Sequence, residues 1–92
     1  MGDVRHNEER GWYELKVGRD TAVAAYRREG DVLRFTHTEV PEALEGQGVA
    51  SRLVAGALED VRRNGLKMVP LCSFVRHYVD THPETQDLLA SS

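Results

Sequence analysis

Between residues 39 and 52, EVPEALEGQGVASR, the apolar repeat of this chain changes from two residues to three and four, with Pro41 on one side of the change and Gly46-Gln47-Gly48 on the other. Upstream, GWYELKV places Tyr13, Leu15 and Val17 on one face against Trp12, Glu14 and Lys16, which is strand period. Gly18-Arg19-Asp20 offers a turn, TAVAAYRR a second strand, and Glu29-Gly30-Asp31 a turn into a third strand from Val32 to about Val40. Three strands joined by tight turns predict an antiparallel meander. Downstream, Ala50, Leu53, Val54, Ala57, Leu58 and Val61 predict an amphipathic helix over Gly48–Asn64, stopped by Gly65.

LKMVPLC reads as a fourth strand. Because a single helix leads to it, it should lie parallel to the third. SFVRHYVDTHPETQDLLASS then predicts a short helix from about Phe74 to Thr81, capped by Ser73, an interruption at His82-Pro83, and a final turn or two. The expected fold class is therefore α/β (α+β): a three-stranded meander followed by a strand–helix–strand unit with a parallel pair and C-terminal helices. With 92 residues the chain is read as one domain over 1–92, with residues 1–8 loosely held. Any deep site must share residues with the single core.

The formal net charge is −3 and no basic run stands out, which argues against nucleic acid as a partner. One cysteine leaves no internal disulfide, and neither a signal peptide, a lipidation motif nor a membrane-spanning apolar run is found. The expectation is a soluble cytoplasmic protein, monomeric or weakly dimeric. The four histidines show no metal-ligand spacing, His77 and His82 standing five apart, so no metal site is expected.

The glycines before the helix need a reason. Gly46-x-Gly48 is half of a dinucleotide fingerprint, but position 51 is Ser and the motif follows antiparallel strands; no Gly-Lys-Ser/Thr closes a P-loop either. A tight loop with no ligand is one reading. The other is an anion site, because the helix N-terminus falls beside the C-terminal ends of two parallel strands, where free amides and the macrodipole favour negative charge. A pyrophosphate could then accept hydrogen bonds from the amides around Gly46, Gln47, Gly48, Val49, Ala50 and Ser51, with Arg52 adding charge. Prolines at Val40-Pro41 and Val69-Pro70 cannot donate to a ladder, so they mark strand ends or a point where the parallel strands part.

EGQGVA resembles the Q/R-x-x-G-x-G/A acetyl-CoA signature of the GNAT superfamily of N-acetyltransferases, and FTHTEVPEALEGQGVASRLV with VPLCSFVRHYVDTHPE is similar to a family of very short GNAT-like proteins. The similarity runs from about Tyr13 to Leu89. The first signature position is Glu45 rather than Gln or Arg, and the last is Ala50, which the pattern allows. The resemblance implies a minimal GNAT-like fold and an acetyl-CoA-dependent N-acetyltransferase. Splayed central strands would expose the backbone of Thr38, Glu39 and Val40 to the pantetheine arm. The flanking segments that build the acceptor site in longer relatives are missing.

In the short family the residue matching Cys72 is a candidate catalytic group, as nucleophile or in proton transfer; otherwise Cys72 is a small buried hydrophobe. Tyr78 matches the region where many GNAT enzymes keep a tyrosine that protonates the departing thiolate, and packing is its other reading. By alternation His37 shares a face with Leu33 and Phe35, and Glu39 follows on that face; each is a candidate base or, for His37, a core histidine. Glu39, Glu42 and Glu45 make an acidic run that is either a solvated loop or a lure for a cationic amine, such as a lysine side chain, a protein N-terminus or a polyamine-like metabolite. Two other functions fit the same residues: a CoA-binding or acyl-sensing module without turnover, and a small scaffold presenting Trp12 and the C-terminal helix.

Overall fold

The computed structural model describes residues 4–90. Its sheet has five strands in chain order: β1 (Val4–Asn7), β2 (Trp12–Val17), β3 (Asp20–Glu29), β4 (Val32–Glu39) and β5 (Lys67–Pro70). The first four are antiparallel and β5 runs parallel to β4, with helix α1 (Val49–Arg63) forming the crossover. α2 (Ser73–Asp80) follows β5, and a 3-10 turn over Pro83–Leu88 is the last helical element among the described residues. This mixed α/β architecture is the expected class, with the meander one strand longer than its periodicity announces.

The core follows from the two repeats. Register places Tyr13 opposite Ala24, Leu15 opposite Ala22 and Phe35 opposite Tyr26, so these residues share one sheet face. α1 lays Leu53, Val54, Ala57, Leu58 and Val61 on it, and α2 adds Val75 and Val79; all are buried in one cluster. Each large side chain so buried contributes roughly 1.5–3 kcal/mol. After the last turn, Leu89 bridges Met68 and the Ala90 amide donates to the Met68 carbonyl at 2.9 Å, which covers the outer edge of β5.

Residues 4–7, expected to be loosely held, instead form β1 on the far edge of β2. The local sequence VRHN carries no strand signal; long-range contacts hold it. The His6 ring stacks on Tyr13 at 4.2 Å, with Nδ1 3.3 Å from Asp60 Oδ2 and Nε2 2.5 Å from the Tyr26 hydroxyl. Tyr13 donates its hydroxyl to the same Asp60 oxygen at 2.7 Å, and burial together with that bond pushes its pKa well above the usual range. Gly56 lets the strand sit against α1: a Cβ there would stand 2.5 Å from Val4 Cγ2. Gly56→Ala is therefore expected to destabilise the protein despite better helix propensity, since overpacking of about 1–3 kcal/mol outweighs a gain of about 1 kcal/mol. Denaturant melts measure the loss, and hydrogen exchange should find it concentrated in the amides of β1.

Two local features of β4 shape the site. Pairing with β3 passes from Tyr26↔Phe35 to Ala25↔His37, so Thr36 is an extra residue, a β-bulge. Side chains beyond it change face. Pairing with β5 ends at Phe35↔Pro70, while β4 continues to Glu39 paired with β3 only. β5 itself ends at Pro70, the strand end that the proline marks, so the β4 edge beyond Phe35 is left open; the Cys72 amide closes the base of this fork by donating to the Phe35 carbonyl at 2.9 Å.

Candidate functional site

The open end of β4 and the head of α1 enclose a cleft of about 600 Å³, lined by Thr21, Thr38, Glu39, Val40, Pro41, Glu45, Ala50 and Phe74. That volume lies within the range of roughly 300–1,000 Å³ typical of small-molecule sites. Pro41 ends the strand and a 3-10 turn over Glu42–Leu44 follows, pinned by the buried Leu44 side chain. The Gln47 side chain donates to the Ala43 carbonyl at 3.1 Å and ties the loop across its neck.

Gly46 and Gly48 take φ of 82° and 72°, a left-handed backbone that favours glycine. Gly48 is the N-cap of α1, and Val49, buried beneath it, fixes the helix start. The first helical bond runs from the Arg52 amide to the Gly48 carbonyl at 3.1 Å, so the preceding amides have no partner one turn back. No acidic residue sits in that first turn to offset the dipole. A Cβ built on Gly46 or Gly48 would meet nothing within 4 Å, which leaves the space above these amides open. Ser51 and Arg52 are exposed on the same turn. The loop suits a phosphate ester, with Glu39 and Glu45 on the cleft wall as opposing charges.

Of the residues anticipated for cofactor binding, Thr38, Glu39, Val40 and Ala50 line the cleft, and Gly46 to Val49 form its adjoining loop. Thr21, Pro41 and Phe74 were not anticipated. Thr21 belongs to β3, the strand paired beside β4, and only the sheet register could bring it in.

The anticipated catalytic residues divide between two faces. The bulge at Thr36 turns His37 and Glu39 away from Leu33 and Phe35, so the expected shared face is not formed. Both side chains are more than half exposed, with His37 Nε2 3.3 Å from Glu39 Oε2. Thr38 points instead to the core side, where Oγ1 lies 3.4 Å from Cys72 Sγ and either atom can donate.

Cys72 is 9% exposed and is not among the residues that line the cleft, although it touches Thr38, which does. It occupies the N-cap position of α2, displacing the expected cap Ser73, which is already helical. No side-chain hydrogen bond caps the helix, yet the Val75 and Phe74 amides lie near enough to favour a thiolate. Burial pushes the thiol pKa up, but the Thr38 hydroxyl and those amides together pull it lower still, to a net value below that of a free thiol. Tyr78 lies one helical turn beyond Phe74, stacked on His82 at 3.8 Å, and lines a separate crevice between α1 and the end of the chain. Burial, with Glu84 and Glu59, raises its pKa.

A family model described as GCN5-related N-acetyl-transferase matches residues 12–88. Protein NATD1 of Mus musculus is 33% identical over 88 residues, covering 92% of this chain and 80% of that protein. Its counterpart in Homo sapiens is also 33% identical, over 92% of this chain and 78% of its own length. The solution structure of a GCN5-like protein from Staphylococcus aureus superimposes with a TM-score of 0.72 at 26% identity, spanning all of this chain and 93% of the other.

Proposed function

Because the chain belongs to the GCN5-related N-acetyltransferase family, we propose that it transfers an acetyl group from acetyl-CoA to a cationic amine. The observation that carries this reading is the continuity of the forked end of β4 with an open, glycine-turned loop at the head of α1. The fork offers unpaired strand backbone to an extended pantetheine arm, and the free amides of the loop suit its pyrophosphate. Acetyl-CoA, when bound, supplies a thioester carbonyl activated for attack by nitrogen.

The chain's own residues divide the remaining work across β4. On one face, Glu39 with His37 beside it takes the proton that a protonated amine must lose before it can attack. Glu42 and Glu45 extend the negative charge and draw a cation toward the cleft. On the other face, Thr38 and Cys72 stand where a departing sulfur would need a proton.

Turnover is tested by screening amines for acceptor-dependent release of CoA. Release that rises with a lysine-like or polyamine-like acceptor supports the reading, and release indifferent to every amine rejects catalysis in favour of binding alone. Glu45 gives a second test. Glu45→Gln, which restores an uncharged residue at that signature position, is expected to bind acetyl-CoA about twofold to fivefold more tightly at low salt. The gain should shrink as salt screens the carboxylate, and calorimetry at two ionic strengths reads it.

A further inference from the structure

We propose that Thr38 Oγ1 passes the Cys72 thiol proton to the sulfur leaving the acetyl group, so that Cys72 acts as an acid through Thr38 and does not itself carry acetyl. The inference rests on the acetyl-transfer reading above. Its basis is the order in which the two side chains meet the cleft. Thr38 lines the cleft, whereas Cys72 does not and is 9% exposed. The bulge at Thr36 creates that order by turning Thr38 inward, and it sets Oγ1 3.4 Å from Sγ. A nucleophilic thiol must reach the carbonyl carbon itself, and Cys72, unlike Thr38, is not among the residues that line the cleft. A relay needs a hydroxyl that accepts from one side while donating to the other, and Thr38 can do both.

The step balances as follows. The amine nitrogen bonds to the acetyl carbon, and the carbon–sulfur bond breaks with its electron pair on sulfur. That sulfur takes the Thr38 hydroxyl proton as Thr38 Oγ1 takes the proton from Cys72 Sγ. Cys72 is left as a thiolate at the head of α2. The nitrogen, which gave its first proton to Glu39 before attack, sheds its second to water as the amide forms, and solvent returns a proton to Cys72, so that the net proton released is the one Glu39 took. Nearby helix amides stabilise that thiolate, so the relay ends on a tolerated charge.

The test uses Thr38→Val, Thr38→Ser, Cys72→Ala and the double variant of the first and third. Thr38→Val is expected to lower kcat about 100-fold, with the KM for acetyl-CoA within about twofold. Thr38→Ser should restore most of the rate, and the double variant should be no slower than either single one. Ultraviolet titration of the only cysteine reads the pair without turnover: its pKa should rise in Thr38→Val and return in Thr38→Ser. Intact mass after incubation with acetyl-CoA alone should find no acetyl adduct on Cys72. An acetylated Cys72 competent to pass its group to an amine, or undiminished kcat in Thr38→Val, overturns the proposal alone. Failure to bind acetyl-CoA overturns the acetyl-transfer reading and the relay with it.

Discussion

Gly48→Val is expected to abolish acetyl-CoA binding in a protein that still folds. Gly48 holds φ of 72°, and a Cβ there would meet nothing within 4 Å, so the cost to the free protein is backbone strain without a clash. That strain amounts to about 1–2 kcal/mol, which a domain with roughly 5–15 kcal/mol of stability survives. In the complex the two methyl groups would fill the space over the first amides of α1, where the pyrophosphate must approach. Each charge-assisted hydrogen bond lost is worth about 1.5–3 kcal/mol, so losing even two lowers affinity by more than about 100-fold. Calorimetry together with a thermal melt separates the two effects. Unchanged affinity in a folded variant would mean that the ligand sits elsewhere.

Phe35→Ala is expected to be the most destabilising single core change, at about 3–5 kcal/mol. Phe35 is 1% exposed and packs between Tyr13 and Tyr26, with ring centroids 6.1 and 6.0 Å away. Its position adds a functional consequence. It is the last β4 residue paired with β5, and its carbonyl receives the Cys72 amide at the fork. A cavity at this point should loosen the Thr38–Cys72 contact as well as lower stability. Urea unfolding measures the first effect and titration of the thiol the second; a stability loss under about 1 kcal/mol would show that the core closes over the site more readily than its packing suggests.

Much of this arrangement is legible in the sequence, because it is written in local periods. The alternation from Trp12 to Val17, the three-and-four repeat from Ala50 to Val61, and the glycine that ends it each report contacts within one element. The loop was legible for a similar reason. Gly46 and Gly48 flag a backbone few other residues adopt, and Pro41 and Pro70 mark where the ladder can no longer continue.

What the sequence hides depends on distant partners. β1 has no period of its own and is held by Asp60, Tyr13, Tyr26 and the Gly56 seat, all remote in the chain. The bulge at Thr36 leaves no local mark, since threonine is an ordinary strand residue; its hydroxyl donates to the Ala25 carbonyl at 3.3 Å across the irregular pair. That one insertion decides which of His37, Thr38 and Glu39 faces Cys72. Strict alternation therefore paired the cysteine's neighbourhood with the wrong residues, although it named the right strand.

Calorimetric titration of acetyl-CoA into the full chain tests most directly whether the forked end of β4 and the head of α1 form a cofactor site. The predicted result is one site per chain with micromolar to sub-millimolar affinity, weakened by salt and lost in Gly48→Val. Absence of binding up to millimolar acetyl-CoA, or binding of equal strength in Gly48→Val, would contradict it.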